Sequence, residues 1–270
     1  MKRLLIAGCG DLGLRLAARL DRERWQVHGL RRGVDALPAD IIPVRADLTD
    51  PDSLGVVAGR WDAVVYQATP DAYDEDGYRD AYVHGLANLV EKVDARRLIF
   101  VSSSAVYGQD AGEWVDEDSP TEPARFNGRV LLEAEALAGR SASEPVVVRF
   151  SGIYGPGRDS LVRKVAAGQA RCRETPPQWT NRIHSEDCAG VLAHLLDLDS
   201  PERLYCASDA HSATRCEVLD WLAGRLGVSP PVRENAGGGQ GKRVASGRLV
   251  ESGYSFRYPD YRSGYQEMLQ

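Results

Sequence analysis

Three glycines near the amino terminus have the spacing of a phosphate-binding turn. The segment Gly8-Cys9-Gly10-Asp11-Leu12-Gly13 directly follows a short apolar run and opens a stretch of leucines at helical spacing. Gly8 allows a tight turn, Gly10 lets the backbone approach a phosphate, and Gly13 lets the helix pack closely on the strand. Free amides at the positive end of the helix would then hold a diphosphate. This context predicts a site for the pyrophosphate of a dinucleotide.

Two arginines, Arg31 and Arg32, follow the second predicted strand, about 20 residues beyond the glycine turn. A carboxylate at this position would bind a ribose 2′-hydroxyl and favour NAD, but this stretch contains none. Guanidinium groups instead offer donors to a 2′-phosphate. We therefore expect NADP as the cofactor. NAD is the alternative if the arginines are only solvated residues at a strand end.

Alternating strands and helices are expected to position these residues. Apolar runs predict strands at 4–7, 27–30, 41–44, 63–66, 98–102 and 146–150, and helical spacing predicts helices at 12–20, 82–93 and 129–138. Continuous apolar strands with helices between them indicate a parallel sheet covered on both faces. We predict an α/β Rossmann fold, a doubly wound parallel sheet at 1–150. A smaller C-terminal substrate lobe at 151–270 returns in part to the sheet through a strand at 204–207.

Composition narrows the class of protein. The 270 residues carry a net charge of −6, which gives no support for nucleic-acid binding. No stretch approaches the roughly 18 apolar residues of a membrane helix, and the apolar run at the amino terminus is too short for a signal peptide. The five cysteines form no Cys-x-x-Cys pair, and their spacing suits neither a disulfide framework nor a zinc site. We expect a cytoplasmic protein with reduced thiols, no bound metal and no membrane partner.

Several motifs in this order resemble the extended short-chain dehydrogenase/reductase family, the NAD-dependent epimerases and dehydratases. Besides the glycine turn they are DLTD at 47–50, VSSSAVYG at 101–108, VRFSGIYGPGR at 148–158 and RIHSEDCA at 182–189. The third is a rather specific signature, and together the motifs span nearly the whole chain. The resemblance places Asp47 and Leu48 on the adenine side of the cofactor. It also implies a homodimer formed through two helices.

The same resemblance implies that the family's catalytic set is largely missing. The family uses a tyrosine, a lysine four residues later, a serine or threonine and an upstream asparagine. The matching positions here are Asn127, Leu131, Ser103 and Tyr82. No tyrosine anywhere in the chain is followed four residues later by lysine. The chain therefore looks like an atypical member in which only the serine is kept.

Two groups remain as catalytic candidates. Ser103 could bind a substrate carbonyl or the nicotinamide amide, or it could only satisfy backbone groups at a strand end. Tyr107 is a candidate replacement acid, because neighbouring groups can tune the pKa of a phenol. A packing role is the alternative for Tyr107.

Basic residues in the second half suggest a small, anionic substrate. Arg182 lies one strand alternation from Thr180, where sugar-nucleotide members of the family carry a phosphate-binding arginine. Lys242 and Arg243, with Ser246 and Arg248, follow a glycine-rich segment at 236–241 that we predict to be a mobile loop. A plain surface patch is the alternative for this basic group. His184 precedes a helix start, where a capping role is expected.

Three functions are compatible with these residues. The first is an NADP-dependent oxidoreductase or epimerase-like enzyme with a rebuilt acid–base set. The second is a catalytically silent protein that senses NADP(H) for a partner. The third is a non-redox isomerase or lyase that uses the substrate lobe. We favour the first because the cofactor turn and Ser103 are both present.

Overall fold

The computed structural model describes residues 1–234 and 237–270. Its strands are β1 (Lys2–Ala7), β2 (Trp25–Arg31), β3 (Ile42–Arg45), β4 (Gly59–Tyr66), β5 (Val93–Ser103), β6 (Trp114–Val115), β7 (Glu144–Phe150), β8 (Gly152–Tyr154), β9 (Arg171–Cys172), β10 (Trp179–Thr180), β11 (Arg182–His184), β12 (Leu204–Ala207), β13 (Ala213–Thr214), β14 (Val232–Arg233) and β15 (Arg243–Val244). Its α-helices are α1 (Asp11–Arg19), α2 (Glu75–Tyr78), α3 (Gly85–Val90), α4 (Phe126–Ala138), α5 (Ser160–Ala166), α6 (Ser185–Asp197), α7 (Arg215–Leu226), α8 (Gly247–Glu251) and α9 (Tyr261–Met268). Short 3₁₀ helices cover Ser53–Val57 and Ser104–Val106, and a π-helical turn covers Arg79–His84.

The main sheet has seven parallel strands in the spatial order β12-β7-β5-β4-β1-β2-β3. Most of the buried residues in its strands are apolar, and Leu4, Leu5, Ile6 and Ala7 of β1 are all 0% exposed. The order reverses at β1, which pairs with β2 on one side and with β4 on the other. The α/β Rossmann class predicted from the sequence is therefore confirmed. The reversal places a ligand crevice at the carboxyl ends of β1 and β4.

The chain divides into two compact units that interleave along the sequence. Unit 1 comprises Met1–Val106, Thr121–Arg149 and Ala189–Tyr205. Unit 2 comprises Tyr107–Pro120, Phe150–Cys188 and Cys206–Gln270. Unit 2 thus takes a segment from the predicted cofactor domain, and unit 1 takes one from the predicted substrate lobe.

A buried ion pair links helix α4 to strand β7 inside unit 1. Arg149 and Glu135 meet at 2.6 Å, and their side chains are 6% and 9% exposed. The same Glu135 accepts a 2.6 Å hydrogen bond from Ser102 Oγ at the end of β5. Because a buried charge is costly without a partner, this network fixes the three elements relative to one another.

A second buried arginine, Arg97, joins strand β5 to strand β7 and to the end of helix α6. Arg97 of β5 is 2% exposed and donates to Glu144 of β7 at 2.6 Å. Its guanidinium also donates to the carbonyls of Leu195 and Leu198 at 2.8 and 2.7 Å. These carbonyls belong to the last turn of α6 and the residue after it, where a positive charge also complements the helix dipole.

The helix predicted at 82–93 begins and ends earlier than expected. Helix α2 starts after Asp74, whose carboxylate accepts a 2.8 Å hydrogen bond from the Gly77 amide. The π turn and α3 continue the helical path to Val90, and Val93 already opens β5. The prediction missed the first turns because none of the α2 residues is buried, so they lack the apolar spacing on which it relied.

The prediction of five reduced thiols is wrong for one pair. Cys172 of β9 and Cys216 of α7 form a disulfide with Cα atoms 5.2 Å apart and a sequence separation of 44. It lies in the apolar core of unit 2, beside Leu219, Leu222 and Tyr261. Sequence spacing could not reveal the pair, because the fold rather than a local motif brings the two residues together. Cys9, Cys188 and Cys206 are buried free thiols.

None of the described helices has the length and apolar character that crossing a bilayer requires.

Candidate functional site

The glycine turn has the close approaches that its spacing predicts. Gly8 adopts φ +82°, and a Cβ there would lie 3.0 Å from the backbone of Ala68, which follows β4. A Cβ at Gly13 would overlap the Gln67 side chain and lie 2.9 Å from Ile6 Cγ2. A Cβ at Gly10 would meet nothing closer than 3.9 Å, so this face of the turn is open. The turn can therefore accept a phosphate group without rearrangement.

Helix α1 begins at this opening. Gly10 caps the helix without a side-chain hydrogen bond, and the first intrahelical bond joins the Leu14 amide to the Gly10 carbonyl at 2.9 Å. The amides of Leu12 and Gly13 precede that bond, so no carbonyl one turn earlier in the helix can accept from them. Arg15 pairs with the Asp11 carboxylate at 2.9 Å. The arginine would thereby offset the negative charge of Asp11 next to a phosphate group.

Cys9 supports the turn from inside. Its amide donates to the Leu30 carbonyl at 2.9 Å, so it is not available to a phosphate. Burial raises the pKa of its thiol to about 11, although the charge of Arg31 acts in the opposite direction. We therefore assign Cys9 a packing role beneath the site rather than a contact through its side chain.

The turn opens into a cavity of about 700 Å³ within unit 1. Its lining comes from the ends of β1, β2, β3 and β4 and from the helical segment that follows β4: Gly8, Gly10, Leu30, Arg31, Arg32, Gly33, Ala46, Asp47, Leu48, Thr49, Ala68, Thr69, Asp71, Ala72, Gly77, Asp80 and Ala81. Beside it, Gln67 is 8% exposed, and neither polar atom of its amide has a partner within the described residues. A buried amide without partners at a glycine cradle fits a site built to receive a polar ligand.

The predicted adenine-side residues line this cavity. The Asp47 carboxylate accepts hydrogen bonds from the amide and hydroxyl of Thr49 at 2.9 and 2.8 Å. The Leu48 carbonyl accepts from Asn88 Nδ2 at 3.0 Å. The loop after β3 is thus held in shape by its own contacts, and the side chain of Leu48 lies at the cavity wall.

The two predicted phosphate-binding arginines also line the cavity, but one has a partner. Arg32 forms a bidentate ion pair with Asp71, with both N–O distances 2.7 Å. The pair lowers the pKa of the Asp71 carboxyl, chiefly through the side-chain hydrogen bond. Arg31 donates to the Cys9 carbonyl at 3.4 Å. The sequence places the segment 71–82, which follows the fourth strand, at the carboxyl edge of the sheet where ligands bind, with a solvated loop as the alternative. It does not predict the ion pair between Arg32 and Asp71, because 39 positions separate the two residues.

Ser103 ends β5, and its hydroxyl accepts a 3.2 Å hydrogen bond from the Ala105 amide. Leu131, at the position that the resemblance assigns to the lysine, is 3% exposed and packs in the core. Asn127 and Tyr82 are half-buried in the same unit.

Tyr107 lies in unit 2 and is 2% exposed. Its hydroxyl donates to the Asp116 carbonyl at 2.6 Å and lies 3.0 Å from Cys206 Sγ. A phenol engaged in this way favours the packing alternative over the role of replacement acid.

Arg182 is 7% exposed in unit 2, and Nη2 donates to Thr180 Oγ1 at 2.6 Å. Its charge acts on the buried Asp209, whose carboxyl has a pKa of about 8 because desolvation outweighs the opposing effect of Arg182. The two side chains are thus in contact, although they do not share one strand as predicted, since Thr180 ends β10 and Arg182 begins β11. The role of Arg182 toward a substrate stays a prediction.

The basic group after the glycine-rich segment is tied to the backbone of unit 2. Lys242 Nζ donates to the Tyr107 carbonyl at 2.6 Å, and Arg243 Nε donates to the Gly112 carbonyl at 2.7 Å. Ala236 lies outside the described residues. The Gln240 amide donates to Asp110 at 2.8 Å and its carbonyl accepts from Trp179 at 2.7 Å. These contacts do not support the predicted mobile loop at this part of the segment.

His184 accepts a 3.2 Å hydrogen bond from the Glu186 amide through Nδ1, which is the capping contact expected of it.

Relatives of the chain match it over most of its length. The model of the NAD dependent epimerase/dehydratase family matches residues 4–205. Protein YeeZ of Escherichia coli K12 is 32% identical over 283 aligned positions, which cover 96% of this chain and 97% of that protein. A 3-diazoavenalumate denitrifying reductase of a Streptomyces species is 28% identical over 255 positions, covering 85% of this chain and 83% of the reductase.

Solved structures show the same fold. A Methylobacillus flagellatus protein, provisionally assigned as an NAD-dependent epimerase/dehydratase, is 39% identical with a TM-score of 0.83, covering 99% of this chain and 97% of that one. The human epimerase family protein SDR39U1 with NADPH is 20% identical at TM-score 0.80, covering 99% of this chain and 99% of that one. Thermus thermophilus UDP-glucose 4-epimerase with NAD is 21% identical at TM-score 0.79, covering 100% of this chain and 98% of that one. At these lower identities the likeness concerns the fold.

Proposed function

The chain belongs to the NAD dependent epimerase/dehydratase family, and from this premise we propose that it is an NADP(H)-dependent oxidoreductase acting on a small, anionic molecule. It is an atypical member, since no tyrosine is followed four residues later by lysine. The reductase relative from Streptomyces supports redox chemistry over a purely structural use of the cofactor. A cytoplasmic location and a homodimer stay predictions.

The observation that carries the proposal is the glycine cradle at the mouth of the 700 Å³ cavity. The amides of Leu12 and Gly13 would hold the pyrophosphate, and Leu48 would contact the adenine. Arg31 and Arg32 would bind a 2′-phosphate. When bound, the nicotinamide supplies or accepts a hydride. Ser103, at the end of β5, would orient the group that reacts with it.

Calorimetry with NADP⁺, NADPH, NAD⁺ and NADH tests the proposal directly. Thr49→Trp fills the cavity from an exposed position and should abolish binding without unfolding the protein. Val56→Trp, at a residue 69% exposed and outside the cavity lining, is the matched control and should bind as the wild type does. Failure of the wild type to bind any of the four dinucleotides defeats the proposal. Oxidation of NADPH with a panel of carbonyl compounds then tests turnover.

The missing tyrosine–lysine pair favours one alternative, a sensor of NADP(H) without turnover. A sensor predicts that oxidised and reduced cofactor change the assembly or the partner affinity of the protein differently. Sedimentation of the protein with NADP⁺ and with NADPH separates the two functions. Identical behaviour with both forms would count against the sensor.

A further inference from the structure

Arg243 of unit 2 packs against two tryptophan rings. Its guanidinium carbon lies 5.0 Å from the centre of the Trp114 ring and 4.7 Å from the centre of the Trp179 ring. Its Nε donates a 2.7 Å hydrogen bond to the Gly112 carbonyl. A guanidinium suits contact with aromatic faces because it is planar and less strongly hydrated than an ammonium. The two rings and the carbonyl together hold the end of this side chain in place.

The loops that carry the three side-chain contacts are tied to one another. The Gly112 amide donates to the Gly241 carbonyl at 2.7 Å. Strands β6 and β15 pair with Trp114 opposite Arg243. A Cβ at Gly112 would lie 3.0 Å from the Trp179 ring, so that ring packs directly on the backbone. Because these contacts order the guanidinium before any ligand arrives, less entropy is lost when a ligand binds to it.

The terminal nitrogens of the Arg243 guanidinium are open to a ligand. Of its three nitrogens only Nε donates to the protein, and Nη1 and Nη2 have no acceptor within residues 1–234 and 237–270. Two donors in one plane match the two oxygens of a carboxylate. Arg233 of the same unit differs, since ion pairs with Glu174 and Asp220 already occupy it. Arg243 is therefore a preformed anchor for a planar anion.

The charges around Arg243 favour an anion with a single negative charge. Lys242 precedes it in the chain. The Asp110 carboxylate accepts a 2.7 Å hydrogen bond from the Gly241 amide, and the Glu113 carbonyl accepts a 2.8 Å hydrogen bond from the Arg243 amide. Two carboxylates thus offset the two cations, and they would repel a dianion more strongly than a monoanion. A carboxylate suits this balance better than a phosphate monoester.

Trp114 adds a flat apolar surface beside this anchor. Its side chain is 54% exposed, although an indole is among the largest apolar groups. Aromatic rings pack on one another in stacked or edge-to-face geometry and gain more than their buried area alone provides. A ligand whose carboxylate pairs with Arg243 can therefore gain further affinity if it carries an aromatic ring.

We propose that Arg243 and Trp114 bind an aromatic monocarboxylate. Nη1 and Nη2 of Arg243 donate to the carboxylate oxygens, and the exposed indole contacts the ring. The inference rests on the proposed function, because it names the chemical class of the small, anionic molecule on which the protein acts. Binding involves no covalent step and requires no dinucleotide, so it can be measured on the protein alone.

A titration of the ¹⁵N-labelled protein with 2-naphthoate tests the site through the indole N–H resonances of its five tryptophans. Trp114→Leu, Trp179→Phe and Trp221→Phe assign the three signals that matter. We expect saturable shifts at Trp114 and Trp179 with a Kd of about 1 mM or lower. The Trp221 signal is the internal control and should stay in place, because Arg225 lies 6.0 Å from that ring as its single cation contact. Equal shifts at Trp114 and Trp221, or no saturation at Trp114, would overturn the proposal.

Substitutions then separate the charge from the ring. Arg243→Gln should weaken 2-naphthoate binding about tenfold or more, because two charge-assisted hydrogen bonds are lost. Arg225→Gln, the matched control, removes the same charge beside a tryptophan and should leave the Kd unchanged. Trp114→Leu, read at the Trp179 signal, should weaken binding about threefold or more. Wild-type affinity in Arg243→Gln or in Trp114→Leu would contradict the assignment.

The choice of ligand tests the class of anion. Neutral 2-naphthamide should bind about tenfold or more weakly than 2-naphthoate, since it cannot form the charge-assisted pair. The dianion 2-naphthyl phosphate should also bind more weakly, and tighter binding of either compound would overturn the proposed class. Calorimetry with NADP⁺ and NADPH on the same samples keeps the two hypotheses apart. Dinucleotide binding without carboxylate binding overturns this inference alone, whereas absence of dinucleotide binding defeats the proposed function.

Discussion

The proposed preference for NADP over NAD depends on whether the Arg32 guanidinium can leave its partner and bind a 2′-phosphate. In the structure it pairs with Asp71 at 2.7 Å, and both side chains are solvent-exposed at 62% and 73%. An exposed pair of this kind is weak, so a dianionic phosphate can displace the carboxylate. We predict that Arg32→Ala weakens NADP⁺ binding and leaves NAD⁺ binding nearly unchanged. A charge-assisted hydrogen bond contributes about 1–2 kcal/mol at such a site, which is about 5- to 30-fold in Kd.

Asp71→Asn should act in the opposite direction. It keeps the shape of the side chain, removes the competing charge and also removes repulsion toward the phosphate. The expected gain in NADP⁺ affinity is about two- to fivefold, in keeping with the small contribution of exposed ion pairs. NAD⁺ affinity should not change, because NAD⁺ has no group for the released guanidinium to bind.

Isothermal calorimetry with NADP⁺, NAD⁺, 2′-AMP and 5′-AMP at constant ionic strength measures these effects. Arg22→Ala is the matched control, since it removes the same charge from an exposed pair with Asp40 that lies outside the cavity lining. The reasoning is refuted if Arg32→Ala weakens both dinucleotides equally, or if wild-type protein binds NAD⁺ at least as tightly as NADP⁺. In the second case Arg31 and Arg32 are only solvated residues at a strand end.

Three further predictions concern stability. Glu135→Gln should lower the free energy of unfolding in urea by about 3 kcal/mol, because Arg149 stays buried without a counter-charge. The control Asp197→Asn, at an exposed pair with Arg24, should change it by less than about 1 kcal/mol. Similar losses for both variants would contradict the role of burial. Reduction of Cys172–Cys216 should lower the free energy of unfolding by about 2–4 kcal/mol, and a thiol count of five in non-reducing denaturant would show that the disulfide does not form. Burial raises the pKa of Asp209 in the folded protein to about 8 from an ordinary value of 3.8, so its favourable contribution to stability is complete below about pH 4 and is lost as the pH rises toward 8. The free energy of unfolding of Asp209→Asn should therefore rise relative to that of the wild type between pH 5 and pH 8. A difference between the two proteins that does not vary with pH would argue against this titration.

The parts of the molecule that follow local rules were predictable. The glycine turn, the strand runs and the family motifs each depend on short stretches of sequence, and the sheet that results has the expected class. The Asp- and Tyr-rich segment 71–82 follows the fourth strand, which places it at the carboxyl edge of the sheet where ligands bind, and Asp71, Gly77 and Asp80 from it line the cavity.

The disulfide between the two cysteines and the ion pair between Arg32 and Asp71 were not predicted from the sequence. Cys172 and Cys216 are separated by 44 residues, and Arg32 and Asp71 by 39. Neither pair has a motif, because each is created when distant loops or elements meet. The prediction for residues 236–241 failed differently at Gln240. Glycine content suggested mobility, but backbone hydrogen bonds to Asp110 and Trp179 hold that residue.

The interleaved order of the two units has a consequence for folding during synthesis. When residue 150 leaves the ribosome, Arg97 and Glu144 have been made, but the carbonyls of Leu195 and Leu198 that complete the arginine's contacts have not. Residues 1–150 of the nascent chain therefore lack some of the acceptors for the Arg97 guanidinium until residues 189–205 have been synthesised. We expect the sheet to reach its final stability late in translation, and a protein split at residue 150 to recover cofactor binding only when both pieces are present.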